Sequence, residues 1–285
     1  MSSTWLHQID PIAISIGPLD VRWYGLMYLA AAGAAFGLAW LRTRPPQPAG
    51  AIQRSEIEDI IFYGMVGAVL GGRLGSVIFY HFDSFLADPS MLIRVWEGGM
   101  SFHGGLLGVL AAMAWYARRR GRPVFQLYDF LAPLAPIGLG LGRLGNFIGG
   151  ELWGRHTDGS WGVIFPNALG HLGLSAEQLQ AQYLAGALDV EARHPSQLYQ
   201  AAWEGVVLFA ILWWYTRKPR PMMAASGLFL IVYAIGRIGI EFVREPDANL
   251  GYLAFGWLTM GQVLSMPMLL AGVGLMWLAA RRARG

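Results

Sequence analysis

Three times in this chain an arginine sits between glycines inside a hydrophobic run: Gly72-Arg73-Leu74-Gly75, Gly142-Arg143-Leu144-Gly145 and Gly236-Arg237-Ile238-Gly239. A guanidinium at membrane depth costs several kcal/mol, so it is kept there only with a partner or a task. The flanking glycines thin each helix, letting a neighbouring helix or a polar ligand come close to the backbone. Together the three sites predict a pocket that holds an anion within a bilayer.

Composition sets the solvent. Hydrophobic residues make up 55% of the 285 and charged ones 14%, with a mean hydropathy of +0.41. Apolar stretches recur along the whole length, as in a polytopic helical membrane protein. With no cysteine, disulfides, cysteine-ligated metals and a thiol nucleophile borne by the chain are excluded, and the redox compartment stays open. The basic excess comes from twenty arginines and Lys218; in a membrane protein it reports topology and anionic lipid rather than nucleic acid. No basic residue precedes an apolar run within Met1–Asp10, so the first helix is expected to stay in the mature protein.

Seven spans of about twenty residues are predicted: Val21–Leu41, Ile57–Tyr80, Met100–Ala117, Phe125–Ile148, Gln197–Tyr215, Ala224–Val243 and Trp257–Ala280. Pro133 and Pro136 predict a kink or break in the fourth. Thirteen of the twenty-one basic residues fall in the segments at 42–54, 118–122, 217–220 and 281–284. That bias demands an external N-terminus, a cytoplasmic C-terminus and an odd number of crossings. The expected fold is an all-α polytopic membrane protein, one integral-membrane domain over residues 1–285. An interfacial arm covers 1–20, and an external loop or subdomain covers 149–196.

On this topology the polar residues of six spans converge on the outer leaflet. Arg73, Arg143 and Arg237 lie about 8–10 Å below the outer boundary at a rise of 1.5 Å per residue. Tyr24, His103 and Glu204 lie near outer ends, as do Asn146, Glu151 and Glu241. Arg143 and Asn146 are three apart, hence on one helical face. An arginine fork matches phosphate oxygens, and an asparagine amide bonds phosphate or hydroxyl. The alternative is a glycine-rich packing interface whose arginine snorkels outward. Arg237 and Glu241, four apart, form either a structural ion pair or an arginine oriented toward an anion. Arg73 has no acidic neighbour at helical spacing; it contacts a ligand or partners a distant carboxylate such as Glu204. His103 suits proton transfer near neutrality or serves as a polar anchor. No second histidine lies at ligand spacing, so a metal is not expected. His194-Pro-Ser-Gln-Leu-Tyr199 reads as a helix start with Ser196 as N-cap, or as a substrate contact.

The segment Gly142-Arg-Leu-Gly-Asn-Phe-Ile-Gly-Gly-Glu-Leu-Trp-Gly154 resembles the signature of the prolipoprotein diacylglyceryl transferase family. Arg22-Trp-Tyr-Gly-Leu-Met-Tyr28, Phe102-His-Gly-Gly105, His194 through Tyr199 and Arg237 through Glu245-Pro-Asp247 resemble further family blocks in order, over essentially the whole chain. Gly149 departs from the asparagine usual in the signature, and Gln200 from the acidic residue common after the tyrosine. The resemblance implies transfer of a diacylglyceryl group from phosphatidylglycerol to the lipobox cysteine of a prolipoprotein. The acceptor would be held by its signal peptide at the outer face of the bacterial inner membrane. Glycerol phosphate would leave, and no cofactor, metal or nucleic acid would take part. It implies His103, Arg143, Arg237 and Tyr24 as catalytic residues. The headgroup would be held by Arg143, Asn146, Glu151, Gly154, Tyr233, Arg237, Glu241 and Arg73, with Glu151 and Glu241 steadying the arginines. The rival classes are an anion or lipid transporter, a lipid-binding scaffold and a phosphatidylglycerol-dependent transferase with another acceptor.

Overall fold

The computed structural model describes residues 4–45, 50–94, 98–246 and 251–284; Asp247, at the end of one family block, and the first three residues of the arm lie outside them. The helices are α1 (Trp23–Arg42), α2 (Ile57–Tyr80), α3 (Phe82–Ala87), α4 (Phe102–Arg119), α5 (Val124–Leu131), α6 (Ala135–Ile148), α7 (Ala176–Leu184), α8 (Ser196–Gln200), α9 (Leu208–Tyr215), α10 (Ala224–Ile240) and α11 (Met260–Arg282). Residues Ala201–Val207, between α8 and α9, form a π-helical segment. Each predicted apolar span coincides with a helix or a helix pair, and the fourth is broken between α5 and α6 at the expected prolines. Among the described residues three helical stretches are long and apolar enough to cross a membrane, Trp23–Arg42, Arg54–Tyr80 and Met260–Arg282, and α5 with α6 makes a fourth if the pair crosses as one.

The distribution of side chains is that of a membrane protein. Besides Ile57, Ile60 and Val77, helix α2 buries Gly67, Gly72, Arg73, Gly75 and Ser76 while exposing Phe62, Val69, Leu70, Ile78 and Phe79. Helix α11 buries Gln262, Ser265, Gly272 and Ala279 and exposes Leu264, Leu270, Val273 and Trp277. In water this inversion would be costly. In a bilayer, small residues draw helices together and large apolar ones face lipid.

The expectation of an all-α chain is corrected in the arm. Strands β2 (Ile12–Ile16) and β3 (Leu19–Arg22) form an antiparallel hairpin pairing Ile14 with Val21 and Ile16 with Leu19. The cause is a period of two in Ile12-Ala-Ile-Ser-Ile16, with a turn at Gly17, whose φ of +60° suits glycine. Strand β1 (Trp5–Leu6) pairs in parallel with β4 (Val163–Ile164), so the arm is tied to the segment after α6. Leu6, Ile164, Leu169, Leu188 and Ala192 form a small apolar core there.

The chain divides into two compact units, Met1–Ala34 with Ala132–Gly285, and Ala35–Leu131. In the second, α2 and α4 meet along glycines. A Cβ on Gly67 would stand 2.5 Å from the Gly108 carbonyl oxygen, and one on Gly75 2.7 Å from the Gly104 Cα. In the first, Gly140 of α6 faces Gly205 of the π-helical segment at 2.8 Å by the same measure. Trp203 fills the space beside Gly236 and donates its indole N–H to the Val232 carbonyl at 2.9 Å. By contrast, a Cβ on Gly33 of α1 meets nothing within 4 Å. Gly108→Val should therefore lower the melting temperature in detergent, by overpacking worth at least about 1–3 kcal/mol. Gly33→Ala should leave it unchanged or raise stability by about 0.5–1 kcal/mol. Parallel thermal unfolding of the two variants checks both.

Candidate active site

Helix α6 starts on the far side of a proline break and runs Ala-Pro-Ile-Gly-Leu-Gly-Leu-Gly-Arg-Leu-Gly-Asn, with small residues wherever a neighbour closes in. Its last turns carry Arg143 and Asn146. The Arg143 Nε donates to Glu204 Oε2 at 2.9 Å, and the Glu204 side chain is completely buried on the π-helical segment. Tyr233 of α10 places its hydroxyl beside the Arg143 guanidinium. One turn along α10, Arg237 pairs with Glu241. Glu241 also accepts from Arg244 Nη1 at 3.2 Å and from the hydroxyl of Thr259, the N-cap of α11. Arg155 secures the same turn, donating to the carbonyls of Arg244 at 3.1 Å and Glu241 at 3.2 Å. Gly261 is needed beside this knot: a Cβ there would stand 2.7 Å from Glu241 Cδ and 2.9 Å from Arg237 Nη2.

The resulting group is cationic and reachable. Arg143, Arg237 and Arg244 outnumber Glu204 and Glu241. The Arg143 and Arg237 side chains keep 18% and 14% of their surface exposed, while their carboxylates keep 0% and 1%. Each arginine is thus held by a buried carboxylate and keeps a small part of its side chain exposed. Such a fork binds a phosphate or carboxylate without reorganising.

A second cluster closes the end of α6. The Asn146 amide donates to Glu151 Oε1 at 2.7 Å, and Tyr24, at the start of α1, sets its hydroxyl beside Asn146. Its ring covers Gly145, where a Cβ would stand 2.9 Å from Tyr24 Cδ2. Gly154 lies where three backbone segments meet: a Cβ on it would be 2.5 Å from the Val243 oxygen and 2.6 Å from the His194 oxygen. Gly149, in ordinary helical conformation, has nothing nearer than 3.4 Å to a built Cβ. The backbone there tolerates a Cβ, so the position does not demand glycine.

Several readings change. Glu204 takes Arg143 as its partner, not Arg73. In the other unit Arg73 bonds backbone carbonyls: Met91 at 3.1 Å, Arg94 at 3.0 Å, Gly99 at 3.2 Å and also Gly98. A loop that folds back over the buried end of α2 supplies these acceptors, which helical spacing could not reveal. Glu151 steadies Asn146 rather than an arginine. Ser196 is not the cap of α8: Pro195 holds that position, and the Ser196 hydroxyl donates to the Leu152 carbonyl at 3.0 Å. His103 lies exposed in the first turn of α4, after the N-cap Ser101, its ring edge-on to Phe102. Thr259 and Arg244 escaped the sequence reading of the site. The Thr259-Met-Gly-Gln262 capping box was the available signal.

His7 braces this region from the arm. Its Nε2 is 2.7 Å from the Phe147 carbonyl at the end of α6, and burial lowers its pKa below the ordinary 6.5. Because the folded state disfavours the imidazolium, stability should be full above pH 6.5 and fall as pH drops through that value. Thermal unfolding between pH 7.5 and 5 checks this, and His7→Gln should flatten the dependence. Glu204→Ala should leave Arg143 buried without its carboxylate and cost about 3–5 kcal/mol, read as a lowered melting temperature.

Comparison with known proteins supplies the family. Residues 11–278 match the family described as prolipoprotein diacylglyceryl transferase. A protein of Xanthomonas campestris pv. campestris (strain B100) named phosphatidylglycerol–prolipoprotein diacylglyceryl transferase is 58% identical over 278 residues, 98% of this chain and 93% of that protein. A relative of the same name from Xanthomonas axonopodis pv. citri (strain 306) is 56% identical over 278 residues, with the same coverage of each chain. One from Xanthomonas euvesicatoria pv. vesicatoria (strain 85-10) is 55% identical over 277 residues, 97% of this chain and 93% of that protein. Both the family match and these identities run through α6, the π-helical segment and α10, and this chain belongs to the prolipoprotein diacylglyceryl transferase family.

Proposed function

We propose that the chain transfers the diacylglyceryl group of phosphatidylglycerol to a cysteine thiol of a prolipoprotein, the first step of lipoprotein lipidation. The observation that carries this reading is the pair Arg143 and Arg237, each fixed by a buried carboxylate and each only partly buried itself. The chain has no cysteine, so the sulfur that is alkylated comes from the acceptor. Its thiolate attacks the glycerol carbon that bears the phosphate. A carbon–sulfur bond forms, the carbon–oxygen bond breaks, and the electron pair leaves on the oxygen of glycerol phosphate. Negative charge grows on that phosphate, and Arg143 and Arg237 are placed to receive it. Asn146, Tyr233, Glu151 and Gly154 complete the headgroup site by bonding or shaping it, and Glu241 holds Arg237. The thiol must lose its proton to react. His103 is the proposed base on its chemistry and its Phe-His-Gly-Gly setting, with Tyr24 as the alternative.

In the proposed topology residues 1–285 form one catalytic domain in the bacterial inner membrane. Seven crossings are made by α1, α2, α4, α5 with α6, α8 through α9, α10 and α11. The N-terminus, the arm and the 149–196 segment lie outside, and the C-terminus lies in the cytoplasm. The acceptor's signal peptide holds its lipobox cysteine at the outer face.

The test uses purified protein in phosphatidylglycerol liposomes with a lipobox peptide followed by mass spectrometry. The expected result is a mass gain of one diacylglyceryl group, absent with a Cys→Ser peptide and with phosphatidylethanolamine alone. Phosphatidylglycerol binding without product would favour a scaffold, and anion flux into proteoliposomes a transporter. Arg143→Ala and Arg237→Ala should each lower turnover about 10²–10³-fold, as for loss of one charge-stabilising donor. His103→Gln should lower turnover, read by the same mass-spectrometric assay.

A further inference from the structure

The block His194-Pro-Ser-Gln-Leu-Tyr199 has no part in the proposed chemistry, yet its first residue is tied on nearly every side. The His194 N–H donates to the Arg155 carbonyl at 2.9 Å, and its own carbonyl accepts from Gly154 and Ser196, each at 2.8 Å. The side chain is held as well. Nδ1 lies 3.2 Å from the Tyr199 hydroxyl, and the two rings meet edge to face. Trp161 completes the row, with its indole N–H beside the same hydroxyl. A tight turn sets that ring in place: the Gly162 N–H donates to the Gly159 carbonyl at 2.8 Å, and a Cβ on Gly159 would stand 2.7 Å from Trp161 Cζ2. Trp161 still keeps 60% of its surface exposed. Among the described residues nothing bonds His194 Nε2, and that atom stays open to solvent.

Donor and acceptor chemistry puts a proton on that open nitrogen. An indole N–H can only donate, so the Tyr199 oxygen is its acceptor. The phenolic proton then goes to His194 Nδ1, the unprotonated nitrogen of a neutral imidazole. Burial keeps the ring uncharged at neutral pH by lowering its pKa below the ordinary 6.5. Nε2 therefore carries the hydrogen and presents a neutral donor. Its surroundings disfavour an anion. Asp158 is the charge that acts on His194, whereas Arg193 is turned to Glu245 at 3.2 Å and Arg155 to the carbonyls of Arg244 and Glu241. A neutral acceptor that also packs on an exposed indole is a peptide amide, and aromatic rings with one polar end are enriched where peptides and proteins dock. We infer that His194 and Trp161 bind the acceptor peptide, Nε2 donating to one of its amide carbonyls while the indole packs against it. This inference rests on the proposed transfer to a prolipoprotein. It makes His194 a residue that recognises the acceptor, not a second base.

The experiment compares full-length wild type, His194→Gln and His194→Asn. Thioether formation on a lipobox peptide is followed with peptide and phosphatidylglycerol varied separately, and binding of a fluorescent Cys→Ser lipobox peptide is followed by anisotropy. A glutamine amide nitrogen stands near the place of Nε2, an asparagine one near Nδ1. His194→Gln should keep the peptide KM within about twofold of wild type, and His194→Asn should raise it about three- to tenfold, the loss of one neutral hydrogen bond. The KM for phosphatidylglycerol and the turnover at saturation should change little in either. An unchanged peptide KM in His194→Asn, or a rise that glutamine fails to rescue, would overturn the inference. If His194→Asn does not fold, Trp161→Ala decides the same point: its exposed ring should be missed in the peptide KM alone, and an unchanged value would overturn the inference. Wild type that binds the Cys→Ser peptide more tightly than His194→Asn does, but forms no thioether, would count against the proposed function and for the peptide site. Thioether formed at the same peptide KM by both would overturn the peptide site alone.

Discussion

The cost of holding a guanidinium inside an apolar helix bundle governs the arrangement of the larger unit. Arg143 can remain charged there because Glu204, wholly buried, stands 2.9 Å away. Arg237 can because Glu241 does the same one turn along its own helix, itself fixed by Arg244 and Thr259. Each carboxylate is placed behind its arginine and is more deeply buried than it. The charges are therefore ordered before any ligand arrives. An anion that enters meets donors already aimed, which is the condition under which electrostatic stabilisation costs no reorganisation.

Glycine makes that geometry possible. Gly140 against Gly205 lets two helical segments approach until Arg143 on one reaches Glu204 on the other, and Gly261 leaves room on α11 for the Arg237–Glu241 pair of α10. The same device joins α2 to α4 at Gly67, Gly71, Gly75, Gly104 and Gly108, where the buried charge is Arg73. That arginine is satisfied by loop carbonyls instead of a carboxylate. The three Gly-Arg-x-Gly segments thus differ in packing, with Gly75 against Gly104, Gly145 under the Tyr24 ring and Gly236 beside Trp203, and their arginines reach three different partners.

How much of this was legible follows from locality. Helix positions could be read because each apolar run has its own length, and the break before α6 because proline removes a donor locally. The Arg237–Glu241 pair could be read because both lie on one helix. The Arg143–Glu204 pair could not, since 61 residues separate them and the π-helical segment shifts the face on which Glu204 emerges. In the arm, the β2–β3 hairpin is local and carries its period of two in the sequence, whereas β1 was hidden for a similar reason. β1 finds its partner at Val163–Ile164, and a two-residue strand has no periodicity of its own. Ser196 looked like a cap because serine usually is one, but the carbonyl of Leu152, 44 residues away, claimed its hydroxyl.

The central claim is that Arg143, held by Glu204, stabilises charge growing on a departing phosphate. The sensitivity of transfer rate to leaving-group acidity tests it most directly, using a series of phosphodiester donors that differ only in the pKa of the departing phosphate. With wild type the dependence should be shallow, because the enzyme already carries the charge. With Arg143→Lys, which keeps the charge but loses the fork, it should steepen. Equal slopes for the two proteins would contradict the account and leave Arg143 as a structural partner of Glu204.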